Sequence, residues 1–180
     1  MPSGVANGLQ NSGSYFVAAS GGLLYAYGLV RDEDPTRHDA MTGGESALLA
    51  GLITSGLQSA FGRLRPAQGR GAFHFFDHGS SFVSAHATPA FAGASAVSEH
   101  FDNEWYALLP EYVAAFAVGF GRIGNDAHWL SDIVGAGLVG VGTTELLRYL
   151  HEGHEQNPSR FRVFPVMSRE TTGVVVALEW

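Results

Sequence analysis

The chain has no lysine and no cysteine. All ten basic residues among its 180 are arginine, and charged residues of both signs make up only 15%. Without cysteine there can be no disulfide framework, no zinc-thiolate site and no thiol nucleophile. A formal charge of −7 with no basic stripe excludes nucleic acid as the main partner. Disorder is excluded too, because apolar residues reach 46% and such a chain must bury a core. Long hydrophobic runs are also scarce. A spanning helix needs about 20 apolar residues, whereas the best candidates, 15–30 and 46–62, hold 16 and 17. Short glycine-containing stretches of this kind fit buried helices of a bundle better than membrane spans. The first residues lack the basic and apolar segments of a signal peptide, so no export signal is expected.

What is present is a succession of apolar helical patterns. Residues 1–12 are small and polar and are expected to fray. Helices are expected at 15–30, 42–61, 84–100, 104–119 and 126–150. The glycine- and aromatic-rich stretch 62–83 reads as a loop. After a polar linker at 151–158, the β-rich runs 161–167 and 173–180 read as a hairpin packed on the bundle. The expected fold is an all-α helical bundle with a small C-terminal β-hairpin: a helical domain at 1–158 and an appendage at 159–180.

The chemistry-bearing side chains sit at the edges of these helices. Gln58 to Pro66 ends a helix in Arg63, Arg65 and a proline. Ser80 to His86 leads into another, and Gly121 to Asp132 leads into the longest. With Asn125 or Asp126 as N-cap, His128 would lie in the first turn. Asp132 would then share its face at i+4, close enough to hold the imidazole and fix its tautomer. Ser84 offers a hydroxyl and a helix start, with the N–H groups of Ala85 and His86 beside it. Arg65 and Arg122 can grip oxyanion oxygens in a bidentate way. Two histidines, two arginines, a carboxylate and two helix starts describe a pocket for a tetrahedral oxyanion. Arg63 and Arg70 fall outside this pattern and read as structural. His74 and His78 have metal-like spacing, but no further ligand accompanies them, and a loop with aromatic contacts is the preferred reading.

These residues resemble the type 2 phosphatidic acid phosphatase family, which shares its fold and site with vanadium haloperoxidases and bacterial non-specific acid phosphatases. The family carries Lys, six residues, Arg-Pro; then Pro-Ser-Gly-His; then Ser-Arg, five residues, His, three residues, Asp. The corresponding residues are Gln58 with Arg65-Pro66, Val83-Ser84-Ala85-His86, and Gly121-Arg122 with His128 and Asp132. The match covers about residues 40–148.

The resemblance implies a phosphatase that needs no metal ion or other cofactor. His128 would be the nucleophile, oriented by Asp132, and His86 the general acid and then base. Arg65, Arg122, Ser84, Ala85 and Gln58 would surround the phosphate. The implied substrate is a phosphate ester, with lipid phosphates included, and the implied location is periplasmic or membrane-associated, with contact at a membrane surface. Gln58 removes one positive charge from the site and Ala85 adds a Cβ where the family has glycine. Two other readings stay open: a vanadate-dependent haloperoxidase using the same pocket, against which the missing lysine counts because it would weaken vanadate binding, and a non-catalytic phosphate-binding or interaction module, which Gln58 and Ala85 motivate. The oligomeric state is not legible in the sequence.

Overall fold

A computed structural model of the chain describes residues 1–156 and, further on, the backbone of residues 162–167 and 172–177. It divides into a helical unit, Met1–Glu145, and a second unit, Leu146–Trp180. Five helices are described: α1 (Ser3–Arg31), α2 (Asp34–Phe61), α3 (Ala87–His100), α4 (Trp105–Gly124) and α5 (Leu130–Gln156). Strands Arg162–Met167 and Thr172–Ala177 pair antiparallel, with Phe164 opposite Val175. The expected all-helical bundle is what forms. The expected turn of the hairpin falls outside the described residues.

Several helix boundaries differ from expectation. The small polar residues near the N-terminus are helical, because α1 lies against α4 along a stripe of small residues. Gly13 and Gly121 sit at the crossing, and a Cβ on Gly13 would approach the Ala114 carbonyl to 2.3 Å. Packing, rather than intrinsic preference, holds this segment in a helix. The second helix starts eight residues earlier than expected, at Asp34, because Asp32 ends α1 in a left-handed conformation (φ 55°) and Pro35 opens the next helix. At the other end, α4 runs to Gly124 and α5 to Gln156, so helix occupies most of the expected polar linker. The helix expected from Asp126 begins only at Leu130, because Asp126 itself is left-handed (φ 52°) and cannot open it.

The core lies where α3, α4 and α5 meet, around Val83, Phe91, Ala115, Val118, Ile133 and Ala136. Glycine permits the tightest approach: a Cβ on Gly140 would lie 2.5 Å from the Thr88 carbonyl, so α5 rides directly on the backbone of α3. Thr144 completes that contact, its hydroxyl donating to the Ala92 carbonyl at 3.1 Å. The outer faces are also apolar. Val30, Leu48, Leu52, Leu109 and Leu138 are all more than half exposed. Among the described residues, the helix long and apolar enough to cross a membrane is not one of the two short runs singled out in the sequence but Leu130–His151, within α5.

Candidate active site

Three segments converge between the end of α2 and the start of α5. Helix α2 stops at Gly62, whose left-handed conformation (φ 50°) lets its N–H return to the Gln58 carbonyl. The loop that follows is stitched to itself and to the segment before α5. Leu64 N–H donates to the His74 carbonyl, Ser81 N–H to the Arg63 carbonyl and Ala67 N–H to the Asp126 carbonyl. The Trp129 indole donates to the Leu64 carbonyl at 2.9 Å. Phe61, Phe75, Phe76 and Phe82 stack edge-on and tilted around the loop, the aromatic contacts expected near His74 and His78. Among the described residues, no three histidine, aspartate or glutamate side chains gather as a metal-ligand set.

Asp132 is fully buried and makes three connections. It pairs with Arg63, accepts the Ser81 hydroxyl at 2.5 Å and accepts the Trp129 backbone N–H at 2.8 Å. The last bond places the carboxylate over the open start of α5, where a negative charge is also favoured by the helix dipole. Burial raises the Asp132 pKa, but the His128 ring, the Ser81 hydroxyl, the Trp129 N–H and the Arg63 charge outweigh it. The carboxyl is therefore held below its ordinary value.

His128 precedes α5 instead of lying in its first turn, so the expected helical i, i+4 geometry with Asp132 does not occur. Its Nδ1 is 2.7 Å from the Ser81 carbonyl and 3.6 Å from the Asp132 carboxylate. A carbonyl only accepts, so Nδ1 carries the proton of the neutral ring and Nε2 keeps a lone pair. The tautomer needed for a nucleophile is thus set by Ser81, which Asp132 holds from behind. The ring is buried, at 1% exposure, which shields it from bulk water.

His86 stands at the exposed end of the site, as the residue immediately before α3. Burial of part of its ring lowers its pKa, and the charges of Arg122, His128 and Arg65 lower it further. Those three neighbours bring both arginines and both histidines into one electrostatic neighbourhood. Arg65 donates to the Ser80 hydroxyl at 3.1 Å and Arg122 to the Gln10 side chain at 3.2 Å. Each keeps a buried Nε–H without a partner. Two buried guanidinium donors left unsatisfied side by side are costly unless an anion meets them. Burial, and then the like charge of Arg65, lower the Arg122 pKa.

The other expected residues fall as follows. Ser84 is fully buried, and its Oγ accepts the Ala87 N–H at 3.4 Å, which leaves the hydroxyl hydrogen to donate. Helix α3 begins at Ala87, not at Ser84. Ala85 is exposed and its φ is not left-handed, so the Cβ in place of glycine meets no backbone strain. Gln58 donates its amide to the Val83 carbonyl at 2.8 Å, pinning the segment that carries Ser84. Arg63 and Ser81 were not legible as site residues. Arg63 is 4% exposed; it bonds Ser131, Asp132 and the Ala72 carbonyl, and its guanidinium faces the Phe75 ring at 4.8 Å. No sequence signal separated it from an ordinary helix-end arginine.

The chain is 31% identical over 128 residues to the lipid A 1-phosphatase of Porphyromonas gingivalis, an alignment covering 70% of this chain and 26% of that protein. It therefore spans about a quarter of the length of that relative. No solved structure matches it at a significant level. The family model of the PAP2 superfamily matches residues 39–155, which include every residue of the cluster except Gln10, and the chain belongs to that superfamily.

Proposed function

We propose that this chain is a lipid-phosphate phosphatase that uses His128 as its nucleophile and no metal ion. The observation that carries this reading is the pair of buried, unpartnered Nε–H groups of Arg65 and Arg122 beside His86 and His128. Cationic and neutral donors suit an anion and offer little to a metal. In the first step the Nε2 lone pair of His128 attacks phosphorus while the bond to the leaving oxygen breaks. His86 gives that oxygen a proton. In the second step His86 takes a proton from water, whose oxygen displaces Nε2 and releases inorganic phosphate. Arg65, Arg122 and the Ser84 hydroxyl offset the charge on the phosphoryl oxygens throughout, the role that dominates phosphoryl transfer. Asp132 and Ser81 position His128 and do not touch the substrate.

Membership of the PAP2 superfamily and the named activity of the 31%-identical relative support a lipid phosphate as substrate. The apolar outer faces and the length of α5 support a location at a membrane; the periplasmic side of it is proposed from the family resemblance alone. The helical domain is proposed to end near residue 158. The non-catalytic reading is favoured by one observation, that Gln58 stands at the motif's lysine position and spends its amide on Val83.

The test is phosphate release from p-nitrophenyl phosphate and phosphatidic acid in EDTA. Wild type should turn over at least one of them, and His128→Ala should lose at least about 10⁴-fold in rate, as removal of a nucleophile does elsewhere. An inactive wild type that Gln58→Lys does not rescue would overturn the proposal in favour of the non-catalytic module.

A further inference from the structure

At the end of the bundle away from His86, a cavity of about 710 Å³ opens between α1, α4, the end of α3 and the start of α2. Helix α3 separates the two ends. Its 14 residues run from beside His86 to His100, about 21 Å at 1.5 Å per residue, and His100 lines this cavity. Glu111 of α4 lines it too, although that residue is only 3% exposed. Its Oε2 has no hydrogen-bond partner among the described residues. The neighbouring Ser20 hydroxyl can give its hydrogen to the other carboxyl oxygen or to the Val17 carbonyl at 3.0 Å, and reaches Oε2 in neither case. Burial pushes the Glu111 carboxyl above its ordinary pKa by more than Ser20 lowers it, the mark of an anion short of compensation.

A buried carboxyl oxygen in this position needs a donor, and the rest of the wall selects its kind. A second carboxyl, Glu33, lines the cavity; it accepts the Thr36 hydroxyl at 3.2 Å, and Arg31 reaches it at 3.8 Å across the exposed surface. No arginine lines the cavity, and His100 is engaged by Asp39 at 2.7 Å. Phe101 and Tyr106, packed edge to face at 6.2 Å, add ring faces that attract a cation. Leu24 and Val97 supply an apolar floor. We propose that this cavity is a second binding site, which takes a primary ammonium group on an apolar stem, the ammonium donating to Glu111 Oε2 and the stem lying on Leu24 and Val97. A neutral alcohol can donate the hydrogen bond but leaves the carboxyl charge unanswered. A quaternary ammonium answers the charge but has no N–H for Oε2. A phosphate next to the nitrogen, as in an aminophospholipid, would meet two carboxyls and no arginine, so the ligand carries no anionic group there. This site is distinct from the phosphate pocket and does not rest on the phosphatase reading.

The experiment is calorimetric titration of the full chain near neutral pH with four probes: n-hexylamine, n-hexanol, hexyltrimethylammonium and dihexanoyl phosphatidylethanolamine. Hexylamine should bind, and hexanol and hexyltrimethylammonium should each bind about tenfold or more weakly, the worth of one hydrogen bond to a charged group. The short-chain phosphatidylethanolamine should also bind more weakly than hexylamine. Glu111→Gln keeps the shape of the side chain and removes its charge, so it should weaken hexylamine about tenfold or more while leaving hexanol unchanged. No binding of hexylamine, equal binding of hexanol or of the quaternary amine, or a smaller loss in Glu111→Gln would overturn the inference. Tighter binding of the phosphatidylethanolamine would overturn it as well, since the source would then be a lipid headgroup. If Glu111→Gln does not fold, the ranking of the four probes on wild type decides the matter by itself.

Discussion

Asp132 is ion-paired with Arg63, a residue 69 positions earlier in the chain, and both side chains are almost wholly buried. The pair ties the loop after α2 to the first turn of α5. The Ser81 hydroxyl on the other carboxylate oxygen carries that constraint to the backbone carbonyl holding His128. Removing one partner of a buried pair leaves an uncompensated charge, which typically costs about 3–5 kcal/mol. Arg63→Met should therefore lower the unfolding free energy by about 3 kcal/mol in urea denaturation. A change no larger than that of an exposed ion pair would show that Asp132 does not depend on Arg63.

The pH dependence of activity follows from His86. It acts first as a general acid, so it must be protonated in the free enzyme. Its pKa lies below the ordinary value of 6.5 because of burial and then the charges of Arg122, His128 and Arg65. As pH rises through that lowered value, the protonated fraction and kcat/KM fall together. The basic limb of kcat/KM against pH should lie below 6.5 once the substrate's own ionisation is subtracted. His86→Ala should abolish the limb and reduce kcat by about 10²–10⁴-fold. A basic limb above the ordinary histidine range would contradict the assignment.

Gln58 donates one hydrogen bond to the Val83 carbonyl, and a lysine at this position can keep that bond and add a charge. Gln58→Lys should raise kcat/KM for a phosphomonoester by about tenfold or more, within the range of a single oxyanion-stabilising group. Steady-state kinetics at low ionic strength would show it, and a fall in rate would mean that the amide itself is required.

Gly121 stands where the family motif has serine, and the reason lies in α1. A Cβ there would come within 2.4 Å of the Ala6 carbonyl and 2.7 Å of the Gln10 nitrogen. Gly121→Ser should push α1 away, destabilise the protein by about 1–3 kcal/mol and loosen the Gln10 contact to Arg122. Thermal unfolding reads the first effect; a Tm equal to wild type would mean that α1 does not press on this turn.

The helical class, the aromatic loop at 62–83 and the three site segments could be read without coordinates, because helical periodicity and motif spacing are local properties of the chain. The charges of Arg122, His128 and Arg65 all act on His86. Contacts between distant segments could not be read. Residues of α1 before position 15 look unfit for a helix until α4 lies against them, and only then is Gln10 placed on Arg122. His128 and Asp132 have the spacing of a helical pair, yet the left-handed Asp126 delays the helix to Leu130. The ring then takes its tautomer from Ser81, 47 residues away. Amino-acid sequence alone determined which chemical groups are available and roughly where along the chain they cluster. Tertiary structure decided which of them touch, because a buried ion pair or a hydrogen bond to a distant carbonyl forms only after the segments bearing it have packed.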